Sequence, residues 1–468
     1  MSAELSTRSA TELVQRLRGG ELSAEELVRA TFARIEAQNP ALNAIVTLCP
    51  ERALDAARAA DARRLRGEPL GPLHGLPIAH KDLVDTAGIR TTYGSPLFRD
   101  HVPQVDELIV ERLRGAGAIA IGKTNTPEFG AGSQTFNPVF GATRNPYDRE
   151  KTCGGSSGGA AVALAAGMLS IADGSDMGGS LRNPASFCNV VGLRPSPGRV
   201  PRVPATLAWS GLAVLGPMAR RVEDCALLLS AMAGPDRRDP ISLPESGERF
   251  REPLGREFRG VRVAWSRDLG GLPVDRRVRD ALEAKRPALD ALGCSIEDAE
   301  PDFDGADAIF QVLRAFHFAA AFRDLGPDSI AELKKTLVWN IEAGRKLRAD
   351  DVAHAEIRRG ALYQRFAAFQ DDYEFLLAPV VQVPPFDLDV EWIREIEGVA
   401  METYIDWMRS CFYISLLGNP AISVPFAFTN DGLPVGLQIV GRLGDDRGVL
   451  QFAHAVEQAV GTPQPTAA

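Results

Sequence analysis

An α/β fold is what the sequence predicts, and three observations carry that prediction. Of 468 residues, 45% are hydrophobic and 24% charged, which is enough apolar material for a packed interior and excludes disorder. Short apolar runs bounded by Gly and Pro alternate with stretches of helical apolar spacing. No long Pro/Ser linker divides the chain, so one domain over residues 1–468 is expected rather than two.

Taken in order, Ser9 to Glu12 and Ser23 to Glu26 each read as a capping box. Each precedes helical apolar spacing: Leu13, Val14 and Leu17, then Leu27, Val28, Thr31, Phe32 and Ile35. Residues 77–83 and 118–122 read as strands, with a helix over 106–115 between them. The Gly/Ser run 154–159 feeds an Ala-rich helix over 160–166. A strand over 169–172 and a second Gly-rich loop over 174–180 follow. Further on, a strand is expected at 261–265, a helix at 275–292 and a strand at 294–296. Two strands, 421–426 and 435–440, joined through Asn430-Asp431-Gly432, and a helix over 445–459 complete the pattern. The segment 235–252, rich in Pro, Asp, Arg and Ser, is the best candidate boundary between a core and an insertion.

Composition then excludes function classes. Lys plus Arg is 52 against 61 for Asp plus Glu, a formal charge of −9 and the opposite of a nucleic-acid-binding footprint. Six scattered Cys without a CxxC pair and six isolated His without HExxH point to no metal and a reducing compartment. The amino terminus has neither a basic head nor an apolar core, so a cytoplasmic location is expected. The run 160–172 is too short for a membrane span, and 411–428 is interrupted by Gly418, Asn419, Pro420 and Pro425. Only seven cations are Lys, leaving 45 Arg, so a Lys in an apolar stretch stands out for its titratable amine.

Three segments carry chemistry. Gly154 to Gly159 puts two hydroxyls, Ser156 and Ser157, at a helix amino terminus, where backbone can approach a ligand and negative charge is favoured. Taken alone it reads as a flexible turn, an anion site or a nucleophile loop; a P-loop is excluded because no Gly-Lys-Ser/Thr follows. Residues 155–159 also satisfy GxSxG, the serine-esterase elbow, but the available bases His317, His354 and His454 lack a loop-like setting. The second loop, 174–182, sets two Gly before Ser180, the arrangement that turns consecutive amides toward one oxyanion. Lys81 lies in the apolar segment 77–84, where desolvation favours the neutral amine and a general base near neutral pH.

With these residues in view, the chain resembles the amidase signature family. The likeness rests on HGLPIAHKDL, GKTNTPEFG, GATRNPYD, GGSSGGAAVALAAG, GSDMGGSLRNPASFCNVVGLRPSPGRV, GNPAISVPF and GLPVGLQIVG. It covers roughly residues 8–230 and 370–460, and the spacing of 24 from Ser156 to Ser180 fits the family's two-serine arrangement. The resemblance implies a single large α/β/α domain with a central mixed β-sheet covered by helices on both faces. Within it, residues 70–200 form the signature core and roughly 235–370 a variable, substrate-shaping insertion. It implies Ser180 as nucleophile, Ser156 as a bridging serine on a cis peptide and Lys81 as base. The amides of Met177, Gly178, Gly179 and Ser180 would hold the oxyanion, and Ser157, Asp176 and Arg182 would support the network. Gly130, Ala131, Gly132 and Ser133 would line the acyl side.

Departures from the family pattern are Cys153 before the Gly pair, Ser175 and Met177 in place of Thr, and Ser196-Pro197 in place of Thr-Tyr. Met177 is expected to contribute its backbone alone, and Cys153 to sensitise the enzyme to thiol reagents. The resemblance thus implies an amidohydrolase without cofactor, acting on a small aliphatic or aryl amide, with a homodimer as a candidate assembly. The main alternative is the glutaminase subunit of a tRNA-dependent amidotransferase, although its glutamine-binding Arg is not recognisable between Glu332 and Gln370. A GxSxG serine esterase and a non-catalytic anion-binding protein rank below it.

Overall fold

The structure, a computed structural model, describes residues 2–461. The expected amino-terminal caps form. Ser9 Oγ accepts from the Glu12 amide ahead of the Ala10–Gly19 helix. At Ala24–Leu42 the box closes both ways, Ser23 Oγ accepting from Glu26 N while Glu26 accepts from Ser23 N.

An eight-stranded mixed sheet forms the centre, in the order Ser295–Asp298, Arg262–Trp265, Phe375–Pro379, Pro434–Val440, Ala421–Phe428, Val191–Arg194, Val214–Ala219, Ile171–Asp176. The first three strands are parallel and the remaining pairings antiparallel. Helices cover both faces, as side-chain alternation demonstrates. Gln438 points at Arg182 in the Arg182–Phe187 helix. Phe375 lies on the other face, being two residues from Leu377, which pairs with Ile439, and it stacks on Phe452 of the Asp446–Val460 helix.

A separate three-stranded sheet, in the order Ile45–Leu48, Ile119–Thr124, Pro77–Lys81, lies beside the edge strand Ile171–Asp176. One carboxylate stitches the two sheets together: Asp173 accepts from Lys81 N at 2.8 Å and pairs with His80 Nδ1. This join sets the carboxyl end of one strand against the Gly-rich segments of the other.

Two expectations shift in register. The residues read as the start of a second loop, Gly174 to Asp176, belong to the edge strand, paired with Val214–Ala219. The helix expected over 275–292 is α-helical only over Arg276–Lys285, because Pro287 cannot donate the next helical hydrogen bond; a 3-10 turn continues over Arg286–Leu292. A second apolar cluster, including Phe318, Ile330, Leu337 and Ile341, gathers helices Ala306–Ala321 and Lys335–Arg345 around Ala131.

Candidate active site

Lys81 ends its strand fully buried, and its amine meets three hydroxyls. Nζ lies 2.8 Å from Ser156 Oγ, 2.9 Å from Ser157 Oγ and 3.1 Å from Ser175 Oγ. Three hydroxyl oxygens surround the amine and no carboxylate touches it; the neutral form can donate to two of them and accept from the third. Burial brings it down from 10.5 to about 7, against the opposing pull of Asp176 and Asp173.

The serines reach this point from two directions. Ser157 precedes the Gly158–Ala165 helix, and its amide donates to the Ser180 carbonyl at 3.1 Å, tying the first Gly-rich loop to the second. The Gly155–Ser156 peptide is cis. Ser175 shares a strand face with Asp173, two residues earlier, so one strand supplies both the sheet-joining carboxylate and the third hydroxyl. Gly174 lets this strand lie against Ser157: a Cβ there would sit 2.6 Å from Ser157 Oγ.

The nucleophile loop is held by a buried ion network. Asp176 accepts from Arg182 Nε and Nη2, both at 3.0 Å, and Arg194 Nη1 lies 3.3 Å away. Burial opposes ionisation of Asp176, yet Arg182 and Arg194 hold its carboxyl well below the usual carboxylate range. Arg182 also donates to Cys411 O, Gln438 Oε1 and Ser415 Oγ, fixing the loop to the sheet and to the Arg409–Leu417 helix. Gly179 turns the chain at φ 114°, and its amide donates to Asp176 at 2.9 Å. Among the described residues, the amides of Met177, Gly178 and Ser180 have no such partner.

A cavity of about 140 Å³ opens onto this arrangement, lined by Ser156, Ser175, Ser180, Met177 and Gly178. Gly130 and Gly132 line it as well, and a Cβ at Gly130 would lie 3.5 Å from Ser156 Oγ. Ala131 sits behind them, fully buried, its carbonyl accepting from Lys334 Nζ. Ser133 Oγ donates to Gly155 O at 2.6 Å and accepts from Asn183, bracing the loop rather than lining the cavity. Ser156 and Ser180 share the cavity, but no hydrogen bond joins their side chains among the described residues.

The structure brings Lys81, Ser156, Ser157 and Ser180 together with Asp176 and Arg182, and sets Gly179's amide apart from the other three. His317 bonds Ser210 Oγ at 2.8 Å, His454 neighbours Glu223 and Glu457, and His354 is exposed on the Ala349–Asp372 helix; Ser157's partner is the lysine. Cys153 is fully buried and burial pushes its thiol up to about 12, so its setting is that of an inert thiol and argues against the expected sensitivity to thiol reagents at this residue. Met177 does more than offer its amide, since its sulfur lies 3.6 Å from Arg314 Nη1. Sequence reasoning missed Asp173, Ser175's contact with the amine, and the cavity-lining Arg202, Arg314 and Phe318. An Asp two residues before a Ser in an apolar strand was the available signal for the first two. The last three lie in stretches without a motif.

Comparison with known proteins gives a consistent result. The family model described as Amidase matches residues 26–450. An acylamidase of Rhodococcus erythropolis is 37% identical over 452 residues, covering 96% of this chain and 94% of that protein. A glutamyl-tRNA(Gln) amidotransferase subunit of Carboxydothermus hydrogenoformans is 34% identical, with 97% and 98% covered. Among solved structures, a bacterial aryl acylamidase superposes with a TM-score of 0.90 at 30% identity, covering 97% of this chain and 96% of that one.

Proposed function

The chain belongs to the amidase signature family, and from that premise we propose that it is an amidohydrolase cleaving a small aliphatic or aryl carboxamide through an acyl-enzyme on Ser180. The observation that carries the proposal is the buried Lys81 amine, 2.8 Å from Ser156 Oγ at the wall of the cavity that also holds Ser180.

The chemistry follows from that contact. A Lys brought down to about 7 is substantially neutral at physiological pH and can accept a proton. Lys81 takes the Ser156 proton while Ser156 takes that of Ser180, and Ser180 Oγ bonds to the amide carbon. The carbonyl electrons move to oxygen, and that oxyanion is met by the unpaired amides of Met177, Gly178 and Ser180. Gly179 supports the turn instead, with its amide engaged by Asp176. Collapse re-forms the carbonyl, breaks the C–N bond and expels the amine with a proton returned through Ser156. Water then attacks the acyl carbon, giving up a proton through Ser156 to Lys81; the bond to Ser180 Oγ breaks as that proton returns through Ser156 to Ser180, and the acid leaves. Ser157 and Ser175 hold the amine on line, and the Asp176–Arg182 pair holds the loop.

Within one domain, residues 70–200 would supply the chemistry and roughly 235–370 the selectivity. Arg314 and Phe318, which reach the cavity from that second stretch, support this division. A reducing, cytoplasmic setting agrees with six free cysteines, and the partner is a small molecule rather than nucleic acid or membrane. No described helix is long and apolar enough to cross a membrane.

The test is a panel of aryl, aliphatic and primary amides assayed on the wild type and Ser180→Ala, with released acid and amine identified. Stoichiometric acid and amine from the wild type alone supports the reading; equal turnover by the variant defeats it. The identity to an amidotransferase subunit keeps a glutaminase reading in view. Glutamine hydrolysis appearing only with partner subunits would favour that reading.

A further inference from the structure

The cavity that holds Ser156 and Ser180 is also lined by two guanidiniums, Arg314 and Arg202. Arg314 projects from the Ala306–Ala321 helix, 6% exposed and fixed on three sides. Its Nη2 donates to Tyr404 Oη at 2.6 Å, its Nε to Asn340 Oδ1 at 3.2 Å, and its carbon lies 4.6 Å from the Phe318 ring centroid. Nη1 has only the Met177 thioether, a weak acceptor. Arg202 spends Nη1 on Ala213 O at 2.9 Å.

Among the described residues, neither guanidinium forms an ion pair, but Arg202 feels the carboxylates of Glu107 and of Asp239, which accepts from the Arg202 amide at 2.8 Å, whereas Arg314 has no such neighbour. This sets Arg314 apart from three fully buried arginines: Arg182 and Arg194 share Asp176, and Arg199 pairs with Asp446 and Glu245. Arg220, also buried, donates to three carbonyls instead. A buried cation without a counterion is costly, and a site that keeps one gains when an anion arrives. Asp176, the acidic residue lining the cavity, is already neutralised. Neighbouring bases register the positive field. Burial, with Arg202, Arg359 and Arg314, holds His317 down to about 4; burial, with Arg314 adding to it against Glu391 and Glu128, holds Lys334 down to about 8.

We propose that Arg314, with Arg202 in the same wall, is the counter-charge for a carboxylate on the substrate, so that the preferred amides are anionic. Arg314 is then a specificity-determining residue, its planar fork held ready by Tyr404, Asn340 and Phe318. This inference rests on the amidohydrolase reading and narrows it to one substrate class.

Three anilides of similar size separate the sources of that carboxylate: glutaryl-p-nitroanilide carries it on the acyl side, pentanoyl-4-aminobenzoate on the amine side, and pentanoyl-p-nitroanilide lacks it. The expected result is a wild-type kcat/KM at least about 10-fold higher for one anionic member than for the neutral one. Arg314→Met should shrink that ratio by about 10-fold, chiefly through KM, with Arg314→Lys in between. Equal or better turnover of the neutral anilide by the wild type, or an equal loss on all three substrates in Arg314→Met, overturns the proposal. A binding arm on the wild type needs neither turnover nor a folded variant: calorimetry should give glutarate at least about 10-fold tighter binding than glutaramide. Equal affinities overturn the proposal even if no anilide is cleaved, whereas the amidohydrolase reading itself is tested separately by the panel of aryl, aliphatic and primary amides.

Discussion

Replacing Lys81 by Met should remove activity while changing stability in a direction set by pH. In the folded chain the amine gives up its proton near pH 7, whereas in the unfolded chain it keeps it to about 10.5. Between those values unfolding takes up a proton, so wild-type stability rises with pH across that window and is lowest below pH 7. The variant has no such titration, and the three hydroxyls it leaves without an amine partner cost the same at every pH. The difference in unfolding free energy, wild type minus Lys81→Met, should therefore rise by about 2.5 kcal/mol between pH 6 and pH 9. Paired urea titrations at pH 6, 7, 8 and 9 read it directly. In parallel, wild-type kcat/KM should climb about tenfold per unit below pH 7 and flatten above it, since the neutral amine is the active form. A stability difference that stays flat or falls with pH, or a kinetic midpoint near 10, would refute the idea of a desolvated, neutral base.

Other perturbations test the geometry around that amine. Gly174→Ala would place a Cβ 2.6 Å from Ser157 Oγ, so we expect at least a tenfold fall in kcat with the far-UV circular dichroism retained. Asp176→Asn breaks a fully buried pair and leaves Arg182 and Arg194 without their anion; chemical denaturation should show a loss of about 3–5 kcal/mol. Native enzyme should keep its activity after treatment with a thiol-alkylating reagent, because Cys153 is buried with its thiol pushed up to about 12.

What the sequence disclosed follows from the range of the interactions involved. Ser23 and Glu26 are three residues apart and announce their helix by local chemistry alone. The two Gly-rich loops and Lys81 were legible because close backbone approach restricts residue choice, so glycines such as Gly174 carry the fold's geometry in the sequence itself. Pro287, inside the expected helix over 275–292, was itself the visible signal for the break, since it lacks an amide to donate. Asp173 was hidden because its partners, Lys81 and His80, lie more than ninety residues away and on a different sheet. Arg314 was hidden for the opposite reason. Its setting is a helix whose spacing reads as ordinary core, and its relevant feature, a buried fork with one edge left to a thioether beside the cavity, exists only once Tyr404, Asn340 and Met177 are folded around it.

The central claim is that Ser180 is the nucleophile and that Lys81 activates it through Ser156. Labelling with a fluorophosphonate, followed by peptide mass mapping on the wild type, Ser180→Ala, Ser157→Ala and Lys81→Ala, tests it most directly. The expected result is an adduct on Ser180, its loss in Ser180→Ala, its retention in Ser157→Ala, and labelling slowed by at least about 100-fold in Lys81→Ala. An adduct on Ser157, or undiminished labelling of Ser180→Ala, would contradict it.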